Sequence, residues 1–255
     1  MTSIALKDVS VDFPLFQAEH RSLKLLMSAP LKRSRFGKDH RQRPVLHALR
    51  NINLRLEHGD RIGVIGSNGA GKSTLLRVLA GIYPPVAGSI RIEGRVGALL
   101  TTGLGMRDDA TGYENIEFGL LLQGVPPKEI AARRDAIAAF TELGEHLNLN
   151  VGAYSSGMRV RLAYAISTAV DPDILVIDEV FGAGDAAFLK KAEARMAAMI
   201  ANSAILVFAS HMPALLAQFC NRGILLERGE IVMDGPLEDV QARYLASVEE
   251  AATVS

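Results

Sequence analysis

A chain of 255 residues with 49% hydrophobic content is long enough for one large domain, or a domain with a subdomain, around a sizeable core. Lys+Arg and Asp+Glu stand at 28 each, so overall charge gives no electrostatic case for nucleic acid as a partner. A single cysteine, Cys220, excludes an internal disulfide framework or a zinc cluster built on several cysteines, and is expected as a small core residue.

Mean hydropathy is slightly positive at +0.17, yet no uninterrupted apolar run reaches the about 18 residues of a membrane span. The most apolar window, residues 199–219, is broken by Asn202, Ser203, Ser210 and His211, and is expected as helix, buried strand and loop. The first residues lack the charged-then-apolar pattern of a secretory signal, which leads to the expectation of a cytoplasmic protein.

Residues 4–13 alternate apolar and polar side chains as an antiparallel strand does, and Pro14 ends the run. A basic stretch follows. Residues 19–50 hold nine Lys/Arg against two acids, a local balance of +7, with residues 22–27 as a short amphipathic helix stopped by Pro30. This insertion, about residues 17–44, reads either as a solvated surface loop or as a contact with anionic lipid headgroups or a membrane partner. Residues 45–56 alternate again, and residues 57–60 turn the chain into its most informative segment.

That segment, residues 61–79, reads as a buried strand, a glycine-rich turn and a helix starting near Lys72. The turn Gly66-Ser67-Asn68-Gly69-Ala70-Gly71-Lys72-Ser73, followed by Thr74, fills every fixed position of the G-x-x-x-x-G-K-[ST] phosphate loop. Glycines let the backbone turn its N–H groups onto a polyphosphate, and the positive end of the following helix faces the same anion. Lys72 is expected to reach the β- and γ-phosphates and Ser73 to offer its hydroxyl to Mg²⁺. The chain is therefore expected to bind a nucleoside triphosphate.

Past Pro84-Pro85 and Gly88, a short strand pair is expected over residues 89–100, then helices over 114–122 and 127–143. Tyr154-Ser155-Ser156-Gly157-Met158 opens another helix over 159–170, with either serine able to cap its first turn. Residues 174–179, ILVIDE, are four consecutive apolar residues followed by two carboxylates, the pattern of a parallel strand buried on both faces. Asp178 and Glu179 fall at its carboxyl end, where ligands sit. Asp178 is placed to hold Mg²⁺ through its water shell, and Glu179 to orient or deprotonate the water attacking the γ-phosphate. Residues 205–211 repeat the arrangement, so His211 is expected to contact the γ-phosphate or that water. Residues 224–234 read as a hairpin turning at Arg228-Gly229, residues 236–248 as a closing helix, and 249–255 as a frayed tail.

Taken in order, the phosphate loop, YSSGM, ILVIDE and the strand-end His211 closely resemble an ABC transporter ATP-binding subunit over residues 3–245. The resemblance implies an α/β fold of the P-loop NTPase type: a mostly parallel core sheet, an antiparallel β subdomain and an inserted helical subdomain at about residues 105–166. Residues 1–245 then form the ATP-binding domain and 246–255 a C-terminal tail. It implies ATP and Mg²⁺ as cofactors and an ATP-dependent homodimer, with each nucleotide held between the phosphate loop of one copy and Ser155, Ser156 and Gly157 of the other. Asp185 matches the aspartate loop of the family, and Phe13 is the expected adenine-stacking aromatic. A separate transmembrane permease is implied, with the chain on the cytoplasmic face of the inner membrane as a peripheral protein.

The departures suggest a subfamily. YSSGM replaces the common LSGGQ, and no glutamine stands at the linking-loop position; Gln123 comes too late, leaving Thr101 or Thr102 to act through water. YSSGM, TGYENI at 111–116 and DEVFGAGDAAF at 178–188 look like the exporters of lipid-linked O-antigen, capsule or teichoic acid. The chain ends soon after Leu245, so the further carbohydrate-binding domain of some O-antigen members is not expected. The alternatives are an ABC ATPase for another exported cargo, such as a lipid, drug or peptide, and a soluble ABC protein outside transport.

Overall fold

The computed structural model describes residues 2–15, 36–38, 43–100, 105–178 and 186–253. The chain divides into two compact units, one of Met1–Gly94 with Ile205–Ser255 and one of Arg95–Ala204. The first unit opens with β1 (Ser3–Pro14), β2 (Phe36–Lys38) and β3 (Pro44–Glu57), then runs through β4 (Arg61–Ile65) and α1 (Lys72–Leu79) to β5 (Ala87–Glu93). The second holds β6 (Val96–Leu99), α2 (Gly112–Leu122), α3 (Pro127–Thr141), α4 (Ser156–Ser167), β7 (Ile174–Asp178) and α5 (Ala186–Asn202). The chain returns to the first as β8 (Ile205–Ala209), α6 (Pro213–Phe219), β9 (Arg222–Glu227), β10 (Glu230–Pro236) and α7 (Leu237–Thr253).

Within the first unit, β2, β3, β1 and β5 form an antiparallel sheet in that order. The alternation of β1 buries Ile4 and Leu6, then changes phase and buries Val9 and Val11. The register slips at the same place, between Leu6 and Val9. Asp8 there adopts a φ of 51°, and its carboxylate and backbone N–H are both held by the Asn53 side chain, at 2.9 and 3.0 Å. This is a β-bulge: one extra residue re-aims the strand so that both halves keep their apolar side chains inward.

The parallel part of the first unit is β4 flanked by β8 and β9, with β10 antiparallel at the edge of β9. Ile62, Val64 and all of β8 are buried, as strands covered on both faces must be. Helix α7 seats against this sheet where side chains are missing: a Cβ on Gly63 would come within 2.9 Å of Leu237, and one on Gly223 within 2.9 Å of Val240. The hairpin turns at Arg228-Gly229 as expected, both with positive φ, 51° and 86°.

In the second unit β6 and β7 pair in parallel, Leu99 opposite Ile177. Ile174 to Ile177 are 0% exposed; burial at about 1.5–3 kcal/mol each outweighs the about 1–2 kcal/mol of backbone ordering per residue. Helices α2, α3 and α4 share one apolar core built on Ile116, Leu120, Ile137, Leu147, Leu162 and Ile166.

Several expectations change. Residues 89–100 are not a strand pair: β5 pairs with β1 and β6 with β7. The link between them is diverted because Asp173 takes both sides of Arg95, its carboxylate accepting the Arg95 N–H at 2.7 Å and its own N–H donating to the Arg95 carbonyl at 2.9 Å. Helix α4 begins at Ser156 and stops at Ser167, short of Val170, and α7 continues through Thr253 where fraying was expected. The amphipathic reading of residues 22–27 lies outside the described residues. Among the described residues no helix is long and apolar enough to cross a membrane.

Candidate functional site

The phosphate loop leaves the carboxyl end of β4 and enters α1, as read from the sequence. Gly71 caps α1 with φ 116°, a region open to glycine but costly for any side chain. A Cβ on Gly66 would collide with the Leu226 carbonyl of β9, so the loop can lie this close to the sheet only with glycine there. Three backbone bonds set its curve: Ala70 N–H to the Ser67 carbonyl (3.0 Å), Leu75 N–H to Gly71 (2.9 Å) and Gly229 N–H to Ala70 (2.7 Å). The Lys72 ammonium lies over the loop, donating to the Gly66 and Ser67 carbonyls at 2.6 and 3.2 Å.

The start of α1 carries no side-chain cap and no acid in its first turn. Its N-terminal N–H groups and the positive end of its dipole therefore face the loop with no acid of the helix's own first turn beside them. A cradle with glycines at the close approaches, a lysine across its mouth and an uncapped helix start fits a polyphosphate.

β8 runs beside β4 with Ala209 opposite Val64, so Ser210 and His211 leave the sheet at the same edge as the loop. Ser210 is buried and its hydroxyl accepts the Met212 N–H at 3.1 Å, which turns the chain directly after His211. Phe13, near the end of β1, pairs with Leu46. Its ring meets that of Tyr83 edge-to-face, 5.2 Å between centroids and 75° between planes. The Arg77 guanidinium of α1 lies 5.9 Å from the Tyr83 centroid. Tyr83 carried no sequence signal of its own.

The second unit carries Asp178 and the serines. Asp178 is partly exposed at the carboxyl end of the buried β7, as expected. Of the two candidate caps it is Ser155 that acts, its hydroxyl accepting the Met158 N–H at 3.3 Å. That oxygen keeps a proton to donate. Ser156 begins α4, both serines are exposed, and a Cβ on Gly157 would meet nothing within 4 Å, so the helix start is open to an incoming anion.

What holds this helix start is Tyr154, buried in the helical core with its hydroxyl donating to the His146 carbonyl at 2.7 Å. Burial pushes that phenol above its ordinary value. Arg159, one turn into α4, pairs with Asp108 at 2.7 Å. The loop bearing Asp108 is fixed by Asn115, which is 3% exposed. Its side-chain oxygen accepts the Arg107 N–H at 2.7 Å, and its amide donates to the carbonyls of Arg107, Ala110 and Thr111. The contacts of Asn115, Asp108 and Arg159 were not legible in the sequence, although Asn115 lies within the TGYENI motif at 111–116. One signal was available: Thr111-Gly112-Tyr113-Glu114 has the spacing of a capping box, and it forms, with the Glu114 N–H to the Thr111 hydroxyl at 3.2 Å and the Thr111 N–H to the Glu114 carboxylate at 2.7 Å. The Thr111 N–H and the Thr111 hydroxyl, donating to that carboxylate at 2.7 and 3.0 Å, hold Glu114 below the usual carboxylate range.

Glu179, Asp185, Thr101 and Thr102 lie outside the described residues. Gln123, set aside as too late for a linking glutamine, donates instead to the carbonyls of Gly119 and Ile166, at 3.2 and 2.9 Å, and so ties α2 to α4.

The chain is 46% identical to the O-antigen export system ATP-binding protein RfbE of Yersinia enterocolitica, over 91% of this chain and 97% of that protein. It is 38% identical to the O-antigen export system ATP-binding protein RfbB of Myxococcus xanthus over 100% of its own length, but spans 58% of that relative. Among solved structures, the dimeric post-hydrolysis state of the ATP-binding cassette MJ0796 bound to ADP and Pi shares the fold, with a TM-score of 0.65 at 21% identity over 92% of this chain and 98% of that one. Residues 49–182, from the strand before the phosphate loop to just beyond the two strand-end carboxylates, match the ABC transporter family. By that match and by its relatedness to RfbE, this chain belongs to the ABC transporter family as an ATP-binding cassette.

Proposed function

We propose that this chain is the ATP-hydrolysing motor subunit of an exporter that moves lipid-linked polysaccharide, of the O-antigen class, across the cytoplasmic membrane. The observation that carries this reading is the 46% identity to RfbE along 97% of that protein's length. The chain then works as an ATP-dependent homodimer bound to a separate transmembrane permease, on the cytoplasmic face of the membrane.

The nucleotide is held in two halves. Gly66 to Thr74 wrap the phosphates of one ATP, with Lys72 exchanging its carbonyl partners for β- and γ-phosphate oxygens, and Phe13 takes the adenine. Ser155, Ser156 and Gly157 of the second copy reach the γ-phosphate with a hydroxyl and helix-start N–H groups, and Asp185 matches the aspartate loop of the family. The donor set for a metal, the Ser73 hydroxyl and the Asp178 carboxylate, is all oxygen, which suits Mg²⁺. When bound, that ion supplies positive charge against the phosphate oxygens. Glu179 orients or deprotonates the attacking water, and His211 contacts the γ-phosphate or that water. Closure of the dimer is favoured only while ATP bridges both halves, and hydrolysis removes the bridge.

The test is surface polysaccharide in a cell deleted for this gene and complemented with the intact gene or Glu179→Gln. Lipid-linked glycan accumulating inside, with the surface chain restored by the intact gene alone, is the expected result. A surface glycan unchanged in all strains overturns the cargo assignment and leaves the ATPase to be tested by the nucleotide experiments below.

A further inference from the structure

We propose that Tyr83 is a positioning residue of the base subsite, orienting the Phe13 ring and tying it to the helix that carries the phosphate loop. The inference rests on the reading of Phe13 as the residue that stacks on the adenine.

The Phe13 backbone is fixed by its register with Leu46, but strand pairing does not set the ring, whose χ2 is broad. The Tyr83 contact does: the rings meet at 5.2 Å and 75°, the favoured edge-to-face arrangement. Such a contact occupies an edge or one face of Phe13, so at least one face is left by Tyr83 for a base. On its other connection, Tyr83 lies 5.9 Å from Arg77, and Arg77 donates to the Ser73 carbonyl at 3.4 Å. The Phe13 ring, Tyr83, Arg77 and the phosphate-loop Ser73 therefore form one continuous chain of contacts.

The Tyr83 side chain is not needed to shape its own loop. Ile82 and Tyr83 N–H groups both reach the Arg77 carbonyl, at 2.8 and 3.3 Å, and Val86 N–H reaches the Ser10 carbonyl at 2.8 Å. Nor does the ring serve a core, since it is only partly buried and its apolar neighbours in sequence, Ile82 and Val86, are 47% and 60% exposed. What the ring does is hold Phe13 in one orientation before the nucleotide arrives, which spares the ordering cost at binding.

The experiment measures the affinity of the full chain for ATP and for inorganic tripolyphosphate, which has the phosphates without the base. The proteins compared are wild type, Tyr83→Ala, Tyr83→Phe, Phe13→Ala and Phe13→Ala/Tyr83→Ala. Tyr83→Ala is expected to weaken ATP about 2- to 10-fold, the worth of one aromatic pair. It leaves tripolyphosphate unchanged, Tyr83→Phe restores ATP, and the effect disappears in the Phe13→Ala background. An equal loss of ATP and tripolyphosphate affinity overturns the proposal, because Tyr83 then acts on the loop and not on the base. So does an unchanged ATP affinity in Tyr83→Ala beside a weakened Phe13→Ala. If Phe13→Ala itself leaves ATP affinity intact, the base-stacking reading falls first and takes the inference with it.

Discussion

Gly229, at the tip of the β9–β10 hairpin, donates its N–H to the Ala70 carbonyl at 2.7 Å while its own carbonyl accepts the Arg50 N–H at 2.8 Å. A turn far along the chain thus buttresses the phosphate loop from behind. Its φ of 86° suits glycine, and a Cβ there would collide with the Ala48 carbonyl. Gly229→Val forces the hairpin tip to move and the bond to Ala70 with it. At about 1–2 kcal/mol of left-handed strain for an ordinary side chain, ATP affinity is expected to fall about tenfold or more. Titration with a fluorescent ATP analogue checks this; a lowered melting temperature with full affinity would separate the hairpin from the site.

Lys72 spans the loop through two carbonyls, and its charge is expected to transfer to the phosphates when they arrive. Lys72→Ala removes a charge-assisted contact of about 1.5–3 kcal/mol, so ATP binding should weaken at least tenfold. Unchanged binding in an equilibrium dialysis measurement would count against the phosphate-loop reading.

Asn115 makes four hydrogen bonds from a nearly inaccessible position. Asn115→Ala leaves the Arg107 N–H without its acceptor and takes one donor each from the carbonyls of Arg107, Ala110 and Thr111, which keep backbone N–H partners. A loss of about 1–3 kcal/mol is expected, the cost of one buried polar group left unpaired. Denaturant unfolding monitored by circular dichroism gives the value directly; a change under about 0.5 kcal/mol, the range of an ordinary surface substitution, contradicts the stapling role.

Tyr154 donates a buried hydrogen bond and its phenol is raised above 10 by desolvation. Its contribution is therefore fully present below pH 10, the ordinary phenol value, and is lost as pH rises through the raised folded value. Tyr154→Phe should cost about 1 kcal/mol at neutral pH. It should also flatten the alkaline limb of the stability curve, measured by urea unfolding from neutral to alkaline pH.

Cys220 is buried at 7% exposure, and burial pushes its thiol from an ordinary value of 9.0 up to about 12. The folded protein should resist iodoacetamide at pH 8 and react in full once unfolded in urea, read by mass spectrometry. Rapid alkylation of the native chain at that pH would show that the α6–β9 junction opens.

Much of this molecule could be read in one dimension because its determinants are local. The loop at 66–73 needs glycines, a lysine and a serine at set spacings, and the chain supplies them in an unbroken row. The four apolar residues before Asp178 announce a strand covered on both faces, and Arg228-Gly229 has the conformational preference of a tight hairpin. What failed or was missed depends on partners distant along the chain. The pairing that local pattern suggests for residues 89–100 gives way to the bond between Arg95 and Asp173, and the phase change at Asp8 follows from Asn53 on the neighbouring strand. The bond from Gly229 to Ala70 and the contact of Tyr83 with Phe13 have the same origin. The sequence by itself determined the phosphate-loop pattern and where most of the strands and helices lie, because backbone preference and hydrophobic period are properties of neighbours. Only tertiary structure decided what holds those residues in place, because hydrogen bonds and ring contacts between distant segments form once hydrophobic burial has brought the segments together.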